Sequence, residues 1–213
     1  MKKLAFLAAI TLWAQTADNV KVDTSQARAL LVMEQPHHPG PMHVHPTSRV
    51  QVYLGAGEMA FTLPDGKVEK AVFKAGDVRW SPAGVRHISE NISDHPFQLV
   101  EIELKNQPHP FTPSDLDPLK TDPKHYSLEF ENDQVRVIRA HMGPHESVPV
   151  HEHTLNRVTV FLTDQNIRAT NPDGKVQTMV HKAGDVIWST PQTHKEENLN
   201  DRPFEVVAVE IKN

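Results

Sequence analysis

Hydrophobic and polar residues alternate along several short stretches of the chain. The alternation runs through residues 49–54 (Arg-Val-Gln-Val-Tyr-Leu) and again through residues 157–162, and apolar segments occupy residues 97–104 and 204–211. A period of two is typical of a strand with one buried face. No stretch of 11 residues after the first 17 shows helical periodicity. Many short strands at regular spacing predict an all-β protein, either a sandwich or a barrel.

The strand pattern occurs twice. Shifting the sequence by 108 residues aligns residues 43–81 with residues 151–189, with 20 of 39 positions identical. After one deletion in the second copy the shift becomes 107, which aligns His87 with His194 and Glu103 with Glu210. Both copies contain a Pro-Asp-Gly-Lys-Val segment, whose Asp-Gly pair readily forms a tight turn, and a Lys-Ala-Gly-Asp-Val segment. A repeat of this length indicates a duplicated unit, so we expect the same fold to be built twice.

The chain therefore divides into four predicted parts. Residues 1–17 combine two lysines, a short apolar run and small residues, which is the layout of a secretory signal peptide. Residues 18–105 and 125–213 form the two copies. Residues 106–124 contain five prolines and predict an extended linker. Because the apolar run is too short to span a bilayer, we expect a periplasmic or secreted protein without a membrane span in its mature chain.

Composition removes several function classes. The net charge of −5 and the lack of a strongly basic stretch argue against a nucleic-acid partner. The chain has no cysteine, which excludes disulfides, thiolate metal sites and cysteine nucleophiles. Nucleotide-binding glycine motifs and the Gly-x-Ser-x-Gly nucleophile motif are also missing from the sequence. The 14 histidines are the unusual feature that remains.

Two pairs of histidines stand at matching places in the repeat. His43 and His45 form the first pair, and His151 and His153 form the second. Residues two apart in a strand point to the same face, so each pair can reach one metal ion. His37 and His145 also match across the copies, either as a further ligand or as a residue of a loop at the rim.

These residues give the chain a resemblance to two-domain members of the cupin superfamily. The second cupin motif is Gly, five residues, Pro-x-Gly, two residues, His, three residues, Asn, and residues 76–91 match it without a gap. The second copy keeps Gly184, Pro191, His194 and Asn198 but lacks the inner glycine. Both copies supply the His-x-His of the first motif. The resemblance implies two tandem jelly-roll β-barrels over residues 27–105 and 133–212.

The resemblance also implies a metal site in each barrel. It assigns His43, His45 and His87 to one ion and His151, His153 and His194 to another. Three neutral imidazoles suit a divalent ion of Fe, Mn, Ni, Cu or Zn, and they leave coordination positions open for water, substrate or dioxygen. The alternative is that these histidines line the mouths of barrels that bind no metal.

Arginine replaces the glutamate of the first cupin motif in both copies. The alternation of the strand turns Arg49 and Arg157 towards the histidines, where a cation beside a metal ion is repulsive unless an anion lies between them. Each arginine could bind the carboxylate of a substrate, or pair with an inward acid such as Glu103 or Glu210. It could also replace the charge of a metal that the barrel no longer binds.

Two functions follow as alternatives. The first is an oxygenase-type metalloenzyme, dioxygenase-like and acting on a small molecule, in which Arg49 or Arg157 orients a carboxylate. The second is a non-catalytic module that binds or senses a small molecule or anion with degenerate metal sites. Both predict a small-molecule partner. The resemblance also makes a homodimer possible, because cupins often pair through barrel edges.

Overall fold

The first copy folds into two antiparallel sheets. The computed structural model describes residues 19–212, so the predicted signal peptide of residues 1–17 lies outside the described part. A five-stranded sheet has the order β1-β2-β9-β4-β7, and a four-stranded sheet has the order β3-β8-β5-β6. The strands are β1 (Val20–Asp23), β2 (Ala27–Glu34), β3 (His43–Val44), β4 (Arg49–Tyr53), β5 (Gly57–Thr62), β6 (Val68–Phe73), β7 (Val78–Ser81), β8 (Arg86–Asn91) and β9 (Phe97–Leu104).

The second copy repeats this arrangement with the same strand orders. Its sheets are β10-β11-β18-β13-β16 and β12-β17-β14-β15. The predicted all-β fold of two tandem jelly-roll barrels is therefore confirmed. The strands are β10 (Tyr126–Glu131), β11 (Val135–Met142), β12 (Ser147–His153), β13 (Asn156–Phe161), β14 (Gln165–Thr170), β15 (Val176–His181), β16 (Val186–Ser189), β17 (Gln192–Asn198) and β18 (Phe204–Ile211).

The turns follow the sequence signals. Gly66 and Gly174, in the two Pro-Asp-Gly-Lys segments, have φ of 85° and 81°. A side chain at either position would be strained because L-residues rarely adopt this backbone conformation. The turns lie between β5 and β6 and between β14 and β15, where they set the register of each hairpin.

The two barrels share one hydrophobic core. The five-stranded sheets contribute the outer faces of their strands to a single cluster that includes Val50 and Ile102 from one barrel and Val158 and Val209 from the other, all fully buried. Trp80 and Trp188 pack against this cluster. Each barrel also has its own smaller internal cluster. The inner faces of the five-stranded sheets are thereby left free to carry polar side chains into the barrels.

The segment between the barrels is partly helical and packs on the second barrel. It contains α1 (Pro118–Thr121), the single helix among residues 19–212. Asp117 caps this helix by accepting a hydrogen bond from the Leu119 amide, and proline suits the first helical position because it needs no amide donor there. The extended linker predicted from the proline content thus includes one helical turn. Over residues 19–212 no helix is long and apolar enough to cross a membrane.

The start of β5 has no room for a side chain. A Cβ atom on Gly57 would lie 2.4 Å from both Cδ1 and Cε1 of the buried Phe97 ring. We expect Gly57→Ala to lower the free energy of unfolding by about 1–3 kcal/mol, as overpacking does in a tight core. Urea unfolding followed by circular dichroism measures this, with Gly40→Ala as the control because its nearest contact is 3.9 Å away. Equal loss in the two variants would contradict the steric explanation.

Candidate metal centre

Three histidines converge inside each barrel, as the sequence predicted. His43, His45 and His87 form one group and His151, His153 and His194 the other, and within each group the ligand atoms lie within 4.8 Å of one another. β3 pairs with β8 so that His43 is opposite His87, and β12 pairs with β17 so that His151 is opposite His194. Strand alternation brings in the third histidine of each group.

The ring nitrogens in the first barrel are oriented by backbone carbonyls. His43 Nδ1 lies 2.9 Å from the Pro41 carbonyl oxygen and His87 Nδ1 lies 3.2 Å from that of Val85. A nitrogen that donates to a carbonyl leaves the other ring nitrogen unprotonated, which is the form that binds metal. His43 Nε2 lies 2.9 Å from His45 Nε2, close to the separation of neighbouring ligands about 2.1 Å from one ion.

The second triad is more deeply buried. His151, His153 and His194 are at most 5% exposed. His151 Nδ1 lies 3.0 Å from the Pro149 carbonyl oxygen, and His151 Nε2 lies 3.0 Å from His194 Nε2. His153 Nδ1 lies 2.7 Å from Glu210 Oε1, so a carboxylate orients this ring. The donor set, its spacing and these partners fit a divalent metal ion.

Burial lowers the pKa of several triad histidines. Desolvation, with Arg49 as a second cause, lowers the pKa of His45 to about 3, and burial also lowers the pKa of His194 to about 3. The pKa of His153 falls well below its ordinary value for the same reason. Neutral imidazole is the ligand form, so the sites need not release protons from these nitrogens in order to bind metal near neutral pH.

The metal-free protein should lose stability in acid because of these shifts. A histidine with a pKa near 6.5 when unfolded and near 3 when folded takes up its proton more easily in the unfolded chain. Its contribution is complete above pH 6.5 and decreases by about 1.4 kcal/mol for each pH unit below that, down to about pH 3.

Comparison of His194→Gln with the wild type isolates this effect, because glutamine does not titrate and other ionisable groups contribute equally to both proteins. We expect the difference in free energy of unfolding to shrink as the pH is lowered from 6.5 towards 4. Urea unfolding in EDTA at several pH values measures it. Parallel stability curves for the two proteins would show that His194 is protonated as easily in the fold as in the unfolded chain.

Arg49 is held in an ion pair inside the first barrel. Its Nη1 donates to Glu101 Oε2 at 2.7 Å and also lies 2.8 Å from His45 Nε2, while its Nη2 donates to Ser81 Oγ at 2.9 Å. Gln51 donates to the same Glu101 oxygen. Glu103, predicted from the repeat as a partner of Arg49, faces Arg28 at 3.6 Å instead. The pairing partner is therefore Glu101, a position occupied by alanine (Ala208) in the second copy.

Arg157 has a different environment although it occupies the matching position. It is 5% exposed, and its one hydrogen bond is from Nη1 to the Thr190 carbonyl oxygen at 3.3 Å. No carboxylate of residues 19–212 lies within 4.0 Å of it, so Glu210 is not its ion-pair partner. Burial lowers the pKa of Arg157, and the more distant Glu210 and Glu196 oppose that effect. A buried guanidinium with so few partners is costly unless an anion joins it.

A small cavity lies beside the second triad. Its volume is about 110 Å³, and its walls include Tyr126, His153, Arg157, His194 and Glu196. Because a cavity needs about 10–15 Å³ to hold one water, this cavity has room for a small molecule. His153, His194 and Arg157 therefore line the same small volume.

Two of these residues escaped the sequence analysis. Glu196 Oε1 lies 3.5 Å from His194 Nε2, and burial raises the pKa of Glu196 to about 7. Tyr126 Oη lies 3.1 Å from His151 Nε2. Glu196 is two residues after His194, so strand alternation did carry a signal for it. Tyr126 had none, because its place depends on how β10 packs across the barrel.

The matched histidines His37 and His145 lie outside both triads. They adopt left-handed backbone conformations, with φ of 54° and 57°. His37 Nε2 lies 3.4 Å from Asp94 Oδ1, and His145 Nε2 lies 2.8 Å from Asp201 Oδ1. Both side chains are largely exposed. These contacts agree with the alternative of a loop residue and show no contact with a triad.

Comparison with known proteins finds a family model that matches the first barrel. Residues 30–103 match the family model described as Cupin domain. Oxalate decarboxylase OxdC of Bacillus subtilis is 35% identical over 89 residues, which are 39% of this chain and 22% of the decarboxylase. The chain thus spans less than a quarter of that relative.

Solved structures support the same fold. AerE from Microcystis aeruginosa superposes with a TM-score of 0.63 at 14% identity, covering 88% of both chains. A structure of Bacillus subtilis oxalate decarboxylase, a protein with Mn(II) centres, superposes with a TM-score of 0.57 at 12% identity and covers 88% of this chain and 69% of the other. At these identities the likeness establishes the fold alone.

Proposed function

We propose that this chain of the cupin superfamily binds a divalent metal ion in its second barrel and holds a small carboxylate-bearing molecule beside it. Arg157 carries the proposal. Its guanidinium is buried next to three metal-type histidines, faces a cavity of about 110 Å³ and lacks a carboxylate within ion-pair distance among residues 19–212. A carboxylate ligand would supply the missing anion.

The metal would be held by His151, His153 and His194. Such an ion, when bound, polarises a coordinated carboxylate oxygen as a Lewis acid. Mn(II) is our first choice because the oxalate decarboxylase of the comparison has Mn(II) centres. The first triad is the second proposed metal site, through His43, His45 and His87.

The residues of the chain divide the remaining work. Arg157 would bind and orient the carboxylate in the cavity, and the apolar walls, including Phe161 and Ile167, exclude bulk water. Glu196 would hold a proton close to the bound molecule, since burial raises its pKa to about 7. This set of groups suits an enzyme that acts on a small mono- or dicarboxylate, in either an oxygen-dependent or a decarboxylating reaction.

A non-catalytic role is the second candidate, and the first barrel favours it. Arg49 is already neutralised by Glu101, and its Nη1 also engages His45 Nε2, a nitrogen that a metal ion would need. A new anion would gain less binding free energy from this guanidinium, because the guanidinium already donates to two good acceptors. The first barrel would then be a degenerate copy that serves as a scaffold.

The test combines binding with turnover. Protein loaded with Mn(II) is titrated with oxalate and acetate by calorimetry, and oxygen uptake and release of carbon dioxide are followed with a panel of small carboxylates. Binding together with either form of turnover supports the enzyme, and binding without turnover supports the binding module. If Mn(II), Fe(II), Ni(II), Cu(II) and Zn(II) all fail to bind, the proposed metal site is wrong.

A further inference from the structure

The segment between the barrels is hydrogen-bonded to a strand of the second metal site. We call residues 114–122 the strap. The Leu116 carbonyl of the strap accepts a hydrogen bond from the Glu152 amide at 2.8 Å, and Glu152 is the residue between His151 and His153 on β12. Asp117 follows Leu116 and caps α1. The strap is thus attached directly to the strand that supplies two of the three histidines.

Asp117 also reaches into the barrel. Its Oδ2 accepts from Arg136 Nη1 at 2.5 Å and its Oδ1 accepts from Arg136 Nη2 at 2.7 Å. The two side chains are 4% and 3% exposed. A buried bidentate pair fixes both the direction and the plane of the guanidinium. Arg136 is therefore held in one orientation by a residue outside the strands of the barrel.

Arg136 passes this constraint on to the metal site. Its Nη1 also donates to Glu210 Oε2 at 3.3 Å, and Glu210 Oε1 lies 2.7 Å from His153 Nδ1. Glu210 is 2% exposed, so water does not compete for its oxygens. Three buried contacts therefore connect Asp117 to the ring of His153, a residue that lines the cavity.

We propose that Asp117 is a positioning residue of the second site: through Arg136 and Glu210 it holds His153 in the tautomer and orientation that present Nε2 to a metal ion. The claim that Nε2 is presented to a metal ion rests on the function proposed above. The claim that Asp117 fixes the orientation of the His153 ring does not depend on that function. Outer partners of this kind typically change metal affinity about 10–100-fold when they are removed.

The matching residues of the first barrel are arranged differently. Arg28 matches Arg136 in the repeat and faces Glu103, the match of Glu210, at 3.6 Å, but within residues 19–212 it has no second carboxylate within 4.0 Å. His45, the match of His153, has its Nδ1 3.9 Å from Glu101, and its Nε2 is engaged by Arg49. The matching arginine, acid and histidine therefore do not connect, and the histidine presents its Nε2 to an arginine.

The decisive comparison is Asp117→Asn with Asp115→Asn. Both variants remove one negative charge from the strap. Asp115, however, is fully exposed and contacts Lys120 at 3.7 Å, whereas Asp117 is buried against Arg136. Nitrogen-15 NMR of the metal-free protein at pH 8 reports the tautomer of each histidine. We expect His153 to be protonated at Nδ1 in the wild type and in Asp115→Asn, and to populate both tautomers in Asp117→Asn.

Metal affinity gives a second, independent measure. Calorimetry with Mn(II) should show the second site weakened about tenfold in Asp117→Asn and unchanged in Asp115→Asn. Asp117→Asn leaves the buried charge of Arg136 without its main counter-ion, which could by itself disturb the site. The double variant Asp117→Asn/Arg136→Gln removes both charges of the ion pair and so tests the positioning role without a buried, uncompensated cation.

The possible outcomes separate the two proposals. A changed His153 tautomer in Asp117→Asn and in the double variant supports the positioning role even if the wild type binds no metal, and in that case only the proposed function fails. A wild-type tautomer of His153 in both variants, with Mn(II) affinity equal to that of the wild type, overturns the positioning role whatever the protein binds.

Discussion

Replacing His194 with alanine should remove the tighter of two metal sites, while replacing His87 should remove the weaker. Each change deletes one of three ligands, so we expect a loss of more than 100-fold at the affected site, beyond the roughly 10–100-fold typical of outer partners. The sites should differ by at least about tenfold in the wild type. Arg49 engages His45 Nε2 in the first triad, whereas a carboxylate orients His153 in the second.

Calorimetry with Mn(II) and metal analysis of the purified protein measure both sites. His141→Ala is the control, because His141 is exposed on β11 and belongs to neither triad. Two ions per chain in the wild type and one in each triad variant would establish two sites. An unchanged metal content in His194→Ala would show that the second triad is not a metal site.

The two arginines should give opposite results when each is replaced by methionine. Arg157→Met should reduce the affinity for oxalate about 100-fold or more, because a desolvated charge contact contributes roughly 2–5 kcal/mol to a complex. Its effect on the free energy of unfolding should be small or even stabilising, since it removes a buried cation that has one hydrogen bond. Arg49→Met should instead destabilise the protein by about 3–5 kcal/mol, because it leaves Glu101 buried and unpaired.

Urea unfolding and oxalate titration of the metal-loaded variants measure both effects. The double variant Arg49→Met/Glu101→Gln provides the control for the ion pair and should recover most of the stability lost in Arg49→Met. Oxalate affinity that falls in Arg49→Met but is kept in Arg157→Met would assign the ligand to the first barrel and contradict the proposed function.

Local rules predicted the pairs His43/His45 and His151/His153, whereas the resemblance to cupins assigned His87 and His194 to them. Strand alternation places His43 with His45, and the repeat duplicates the pair as His151 with His153. The same alternation together with the turn residues predicted short strands in a sandwich or a barrel, and the resemblance to cupins implied two barrels. The pairs and the strands depend on spacing within a strand or on self-similarity, and both can be seen without coordinates.

The partners of the arginines were harder to predict. Glu103 and Glu210 are the cross-strand neighbours of Arg49 and Arg157, and that register made them reasonable candidates. Each acid, however, also neighbours a second arginine on its other side, and its carboxylate turns there. The choice between two adjacent cations depends on side-chain rotamers, which a sequence pattern does not encode.

The packing of the strap could not be predicted for a related reason. Its prolines indicated an extended connection, but they do not indicate where that connection packs. Asp117 meets Arg136 across 19 residues, and no periodicity links the two positions. A long-range contact between one loop residue and one strand residue leaves no repeated signal, so the structure was needed to find it.

The single hydrophobic core shared by the five-stranded sheets has a consequence for ligand binding. The shared cluster includes Val50 and Ile102 of one barrel and Val158 and Val209 of the other. If either barrel unfolds, the apolar residues of the other barrel that pack against it become exposed to water. A ligand that binds only the native state of one barrel therefore lowers the population of unfolded chains for both. Metal bound in the second barrel would protect the first from proteolysis, although no ligand atom is shared between them.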